Sequence, residues 1–414
     1  MEPRSSRMRK PPPRKKKTGI LFFSIALPLV AIIVALAATL WNGDSGKEQA
    51  DQNNSKGSTI VTTSTPTPTP SSNQKPAPAT SEPVKPETTE TPTSEQNQGS
   101  VTMTFVGDVM MSDKVEGILK KEGYDYPYTY VRKYFEQADF SIANLETPVT
   151  SNGTKQDKLY SYQSSPEALP PLAAAGIDLV NLANNHSMDR GPDGLLDTLK
   201  HLDEAGIKHI GAGHDIDEAY QHAILEKNGV KIAFIGLNHI IPNESWKATA
   251  SRPGMTQIYT PKDAEDAIKR AKADADVVVV FAHWGEERED MPVKYQKDLA
   301  RRFIDAGADL IVGSHPHVLQ GFEQYKGKWI AYSLGNFIFT TNKVAKTHES
   351  AILQVTVNKA GEAELSIVPV LTQYALPKPL TGDKADQLLK RISSISIDAT
   401  VELLGDGTGK VTAK

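Results

Sequence analysis

Asp309-Leu-Ile-Val-Gly-Ser-His-Pro-His-Val318 decides the fold. Leu310, Ile311 and Val312 form a short apolar run closed by Gly313, the pattern of a strand buried on both faces of a parallel sheet. Loops leaving the carboxyl ends of such strands are where open α/β sheets place their ligands. His315 and His317 flank Pro316, which should hold the residue before it extended and so limit the directions of both imidazoles. Neutral imidazole binds Zn, Fe and Ni, so the pair predicts one shared ion.

Around this stretch the texture alternates. Strands are expected at 101–106, 140–144, 177–182, 230–237, 277–281 and 329–333, and helices at 128–135, 192–205, 261–273 and 292–306. Pro192, Pro261 and Pro292 stand where those helices start, their favoured place. The alternation predicts one α/β domain over 101–371 with a largely buried sheet. Inside it, 351–357 and 364–371 flank Asn358-Lys-Ala-Gly-Glu362 as a hairpin. Residues 372–414 read as an extension with one helix near 383–392 and weak signal beyond.

The first hundred residues differ in kind. Residues 1–18 form a basic tail with eight Lys or Arg between Arg4 and Lys17 and no acid among them. Residues 19–41 carry no ionisable side chain, and at about 1.5 Å per residue a helix of that length spans a ~30 Å hydrocarbon core. The basic flank predicts a single crossing, with the N-terminus cytoplasmic and the C-terminal domain extracellular. A cleaved signal peptide is the competing reading, through Ala35-Leu-Ala37, but its apolar region would be shorter. Residues 42–100 are crowded with Thr, Ser, Pro, Glu and Gln and should form a disordered stalk.

Composition narrows the chemistry. Among 414 residues the net charge is -4, which does not point to nucleic acid. There is no cysteine, so disulfides, thiolate metal sites and thiol nucleophiles are excluded. What remains is a series of polar residues at strand ends: Gly107-Asp108, Asn144-Leu-Glu146, Asn181-Leu-Ala-Asn-Asn-His186, His283 and the two histidines of the opening stretch. Carboxylates, a carboxamide and imidazoles together suit one or two divalent ions such as Mn, Fe or Zn. A pair of ions could polarise a phosphoryl or carbonyl oxygen and generate hydroxide near neutral pH. His186, beside Asn185, is placed to protonate a leaving group. Arg190, Arg288 and the tyrosines at 124, 126, 128 and 130 are candidate contacts for an anionic polymer.

These motifs, in this order, resemble those of the calcineurin-like metallophosphoesterases. Gly107-Asp-Val-Met-Met111, Asn144-Leu-Glu146, His283-Trp-Gly-Glu286 and Tyr332-Ser-Leu-Gly-Asn-Phe337 are similar to the CapA, or PgsA, branch, the poly-γ-glutamate capsule biosynthesis proteins. The resemblance implies a four-layer α/β/β/α sandwich with the site between its sheets. It implies that Asp108 and His317 hold one ion, that Asn185, His283 and His315 hold the other, and that Glu146 bridges them. Met110 stands where the superfamily has a histidine ligand, and Asp113 or Glu286 could compensate. The resemblance further implies a metal-dependent hydrolase acting outside the membrane, with poly-γ-glutamate and other subunits of a polyglutamate synthase as partners. Its alternative is a non-catalytic subunit that binds or guides the polymer. ATP-driven ligation is not expected, because Gly405-Asp-Gly-Thr-Gly-Lys410 lacks the spacing and hydroxyl of a phosphate loop.

Overall fold

The structure is a computed structural model that describes residues 99–340 and 343–414. The expected tail, the 19–41 span and all but the end of the stalk lie outside the described residues. Among the described residues no helix is long and apolar enough to cross a membrane.

Strands β1 (Ser100–Val109), β2 (Phe140–Leu145), β3 (Leu179–Asn181) and β4 (Lys208–Ile210) lie parallel and in order. Helices α1 (Lys114–Glu122), α2 (Arg132–Glu136), α3 (Leu169–Ala174) and α4 (Gly191–Glu204) make the crossovers. A two-residue strand, β5 (Ala212–Gly213), precedes the hairpin of β6 (Ala223–Lys227) and β7 (Val230–Asn238). Then come β8 (Gly254–Met255), paired with β5, α5 (Lys262–Asp274), β9 (Val277–His283), α6 (Lys294–Ala306) and β10 (Leu310–Ser314). With β11 (Leu319–Tyr325) and β12 (Lys328–Leu334) they build a sheet ordered β11-β12-β10-β9-β7-β6.

The chain then returns to the first sheet through β13 (Asn336–Ile338), β14 (Glu349–Asn358), β15 (Ala363–Gln373) and β16 (Leu376–Pro379). After α7 (Gly382–Ser394), β17 (Ala399–Leu403) and β18 (Gly409–Ala413) complete the order β17-β18-β15-β14-β1-β2-β3-β4. Residues 372–414 therefore add strands to the larger sheet, β16 and β18 both pairing with β15.

The result is a mixed α/β sandwich. Phe105, Ile142, Phe234, Phe281, Val312 and Leu353 fill the space between the two sheets. Leu119, Phe135, Leu172 and Leu199 bring helices onto the outer face of the larger sheet, and Ile268 and Phe303 bring α5 and α6 onto the smaller one. All seven side chains of β9 are buried, which is why its sequence is a continuous apolar run and not an alternating one. Each fully buried Val or Phe stabilises the fold by about 1.5–3 kcal/mol.

Two expectations need correction. The helix expected over 128–135 is a 3₁₀ turn at Tyr126–Tyr128 followed by the five-residue α2. Pro127 suits the start of such a turn, and Tyr128 is drawn into the core with 1% exposure. His315, expected to be extended before Pro316, has φ +97°, outside the extended region.

One close approach and one turn shape the site's surroundings. Gly107 lies where β1 changes partner: residues 100–105 pair with β14, and Asp108 and Val109 pair with β13. A Cβ at Gly107 would lie 1.9 Å from the Gly335 carbonyl oxygen, so only glycine fits. The second is the turn between β15 and β16, where Gln373 pairs with Leu376 and Tyr374 and Ala375 take φ +52° and +63°.

Candidate metal centre

Six strand ends converge. β1 delivers Asp108, β2 delivers Asn144 and leads to Glu146, and β3 leads to Asn184, Asn185 and His186. From the other sheet β9 delivers His283 and β10 leads to His315 and His317, while β13 begins with Asn336. Parallel register brings these ends level: Asp108 pairs with Asn144 and Asn336, and His283 with Ser314. Asp108, Glu146 and His283 are fully buried and His315 is 5% exposed.

Every side chain expected to bind metal lies here. Asp108, Glu146 and His283 offer ligand atoms within 4.8 Å of one another, as do Glu146, His315 and His317, so Glu146 is common to both groups. Asn185 Oδ1 lies 2.7 Å from His283 Nε2, and the His283 and His315 rings are 4.8 Å apart. His317 Nδ1 lies 3.2 Å from Asp108 Oδ2, and its Nε2 3.8 Å from Glu146 Oε1. Met110 is buried, while Asp113 and Glu286 are exposed and belong to neither group.

A scaffold of polar partners holds the set. Asn144 Nδ2 donates to Asp108 Oδ1 at 2.8 Å, and Asn144 Oδ1 accepts from Asn181 Nδ2 at 3.0 Å. His283 Nδ1 lies 3.0 Å from the Ser314 hydroxyl, and His317 Nδ1 lies 2.9 Å from Asn336 Oδ1. His186 Nδ1 is 2.7 Å from Asp189 Oδ2 and 3.1 Å from Lys158 Nζ. The shorter contact takes the Nδ1 hydrogen, and Lys158 is satisfied by Asp189 Oδ1 at 2.8 Å and the Asn185 carbonyl at 2.7 Å.

Among the described residues eight buried side-chain atoms have no hydrogen bond, and three of them, Asp108 Oδ2, Glu146 Oε1 and His315 Nδ1, belong to the converging residues. Leaving such groups unpaired costs about 1–3 kcal/mol each, more when charged. A divalent cation is the chemical species that satisfies two carboxylate oxygens and an imidazole lone pair together, so the residues fit one. The electrostatics agree. Burial, and then the Asp108 charge, push Glu146 well above the usual carboxylate range. Burial, followed by the neighbouring His315 and His317, holds His283 well below an ordinary histidine, and burial does the same for His315. Both imidazoles are therefore neutral at neutral pH, the form that binds a metal. For His317 burial acts in the other direction from the Glu146 and Asp108 carboxylates, which win and raise it to about 10. A positive charge is wanted here.

Of the residues holding the set, Asp189 and Lys158 escaped sequence reasoning. The only sequence signal was an acid three residues after His186. The tyrosines expected to meet polymer divide: Tyr128 is core, and the Tyr124 hydroxyl donates to Glu167 at 3.0 Å.

Comparison with known proteins came to the same region. The profile for the bacterial capsule synthesis protein PGA_cap matches residues 102–341. The capsule biosynthesis protein CapA of Bacillus anthracis is 37% identical over 298 residues, 70% of this chain and 72% of that one. The PGA biosynthesis protein CapA of Bacillus subtilis (strain 168) is 37% identical over 290 residues, covering 69% and 75%. Among solved structures, a hypothetical protein from Thermus thermophilus aligns with TM-score 0.42 at 17% identity, over 67% of this chain and all of that one. Haemophilus influenzae NAD nucleotidase aligns with TM-score 0.40 at 13% identity, covering 72% and 57%.

Proposed function

The chain belongs to the bacterial capsule synthesis protein family, and on that premise we propose that it serves poly-γ-glutamate synthesis or export from outside the membrane, as a metal-dependent hydrolase. In this reading residues 19–41 anchor it with the N-terminus cytoplasmic, and residues 42–100 carry the domain towards the other subunits of a polyglutamate synthase. The sandwich is then of the four-layer metallophosphoesterase kind. The observation that carries the proposal is the set of unpartnered atoms, Asp108 Oδ2, Glu146 Oε1 and His315 Nδ1, converging with His283 and His317.

Asp108, Glu146, Asn185, His283, His315 and His317 would hold one or two ions of Mn, Fe or Zn. When bound, such ions polarise a phosphoryl or carbonyl oxygen and lower the pKa of water. The chain's own residues do the rest. His186, kept neutral by burial against the opposing pull of Asp189, keeps its Nδ1 hydrogen on that carboxylate. Its Nε2 is then the atom that takes a proton and returns it to the leaving group. Lys158, 2.8 Å from Asp189, offsets that carboxylate's charge and leaves the site less negative for an anionic substrate.

Met110 favours a second reading, a polymer-binding subunit without turnover, because a thioether stands where the related enzymes have an imidazole. Elemental analysis of the purified full-length chain separates the two. About one or two equivalents of metal in the wild type, lost in His283→Ala/His315→Ala, with cleavage of a phosphoester or of poly-γ-glutamate, support the hydrolase. Metal without cleavage leaves the binding subunit, and no metal after reconstitution overturns the metal centre.

A further inference from the structure

Tyr160-Ser-Tyr-Gln163 passes beside the metal centre with alternate residues facing opposite sides. Ser161 and Gln163 line a polar cavity with Arg190, whereas Tyr160 and Tyr162 line a second one of about 650 Å³ with Met110, Lys114, Lys343 and Tyr374. This second cavity adjoins the centre on two sides. Met110 follows Asp108 by two positions, and the Tyr162 ring lies 4.7 Å from the His186 ring. Its walls are mainly apolar, with the Tyr160 and Tyr162 rings stacked at 6.4 Å and 11°.

Tyr374 reaches the cavity from the left-handed turn between β15 and β16. Positive φ at both central residues of a two-residue turn is ordinarily met by Asn-Gly, and here Tyr and Ala hold it. Residues held in this way are strained and cluster at ligand clamps and active sites. At the cavity wall Lys114 and Lys343 outnumber the one carboxylate, Asp113, and neither lysine forms an ion pair among the described residues.

We propose that this cavity is a subsite for the γ-linked glutamyl unit next to the one at the metal centre, a proposal that rests on the poly-γ-glutamate reading above. A γ-linked unit carries its methylenes in the main chain and its α-carboxylate as a short branch. Tyrosine faces and the polarizable Met110 thioether suit the methylenes, and Lys114 and Lys343 suit the carboxylate. Met110 is then a wall of the subsite, which accounts for its presence where an imidazole would be a ligand.

The test is fluorescence anisotropy of a labelled γ-linked hexaglutamate titrated with the full-length chain in detergent, competed with unlabelled γ-linked hexaglutamate and with AMP. Tyr160 and Tyr374 are 61% and 62% exposed, so Tyr160→Ala/Tyr374→Ala leaves the core intact. That variant and Lys114→Gln/Lys343→Gln should each bind about tenfold more weakly. Metal content should be unchanged, and the lysine variant should lose part of its salt dependence. Wild-type binding with no change in either variant overturns the subsite and leaves the polymer reading standing. No wild-type binding overturns both. Displacement by AMP but not by unlabelled γ-hexaglutamate would assign the tyrosines to a nucleobase instead.

Discussion

Replacing Asn336 by alanine should weaken metal binding without altering a ligand. Its Oδ1 lies 2.9 Å from His317 Nδ1, and its Nδ2 donates to the carbonyls of Thr347 at 3.0 Å and His317 at 3.3 Å. The residue is 1% exposed, so water does not replace these partners at once. A net hydrogen bond is worth about 1 kcal/mol and an unpaired buried group costs about 1–3 kcal/mol, which puts the loss of fold stability at about 2–4 kcal/mol. Freeing the His317 ring from its outer partner should cost about 10–100-fold in metal affinity. Both quantities are measurable on the full-length chain, by urea unfolding and by chelator-competition titration. Asn336→Asp keeps an acceptor for Nδ1 and should recover part of the affinity. An alanine variant that loses stability yet binds metal within about twofold of wild type would refute the assignment of His317 as a ligand oriented by this contact.

Gly107→Ala forces a Cβ into the Gly335 carbonyl at 1.9 Å and should destabilise by about 3 kcal/mol or prevent folding, whereas Gly117→Ala, with nothing within 4 Å, should be neutral or stabilising by up to about 1 kcal/mol; urea unfolding checks the pair. His186→Asn should keep the metal and lower hydrolysis by about 10²–10⁴-fold, read by elemental analysis beside turnover. Thermal unfolding against pH tests the histidines. His283 and His315 are held below the ordinary 6.5, so the stability they contribute is present above that pH and is lost as pH falls below it. His317 has the opposite sign: its contribution is full below 6.5 and is lost as pH rises through about 10. Metal-free protein should therefore lose stability on both sides, and a bound ion should flatten the acid side.

The site was more legible than its supports. Asp108, Glu146, His283 and the His315-Pro-His317 pair stand out because strand ends seldom carry such residues, and burial on both faces makes β9 and β10 continuous apolar runs. α1 was not legible, since it buries only Val115 and Leu119, too few to set a period. β17 and β18 were missed because each is five residues long, and β18 takes its place from pairing with distant β15 while β17 pairs with β18. Lys158 could not be assigned to His186 from sequence, because a span of 28 residues separates them and only the folded loop brings them together. Pro316 misled: its usual effect on the preceding residue is outweighed here by the geometry that presents His315 at φ +97°.

β1 is the first strand of the sandwich and among the last to be completed. Ser100 pairs with Asn358 and Asp108 with Asn336, so the strand waits for sequence far behind it. At about 5–20 residues per second that wait is roughly 10–50 s of synthesis. Until then Asp108 lacks its pairing with Asn336 and Glu146 has no His317 beside it. On the metal reading proposed above, an ion would reach its final coordination only once His315 and His317 had joined Asp108 and Glu146. The metal supply of the compartment in which the chain finishes folding would then bear, together with the preference of the ligands, on which ion is bound.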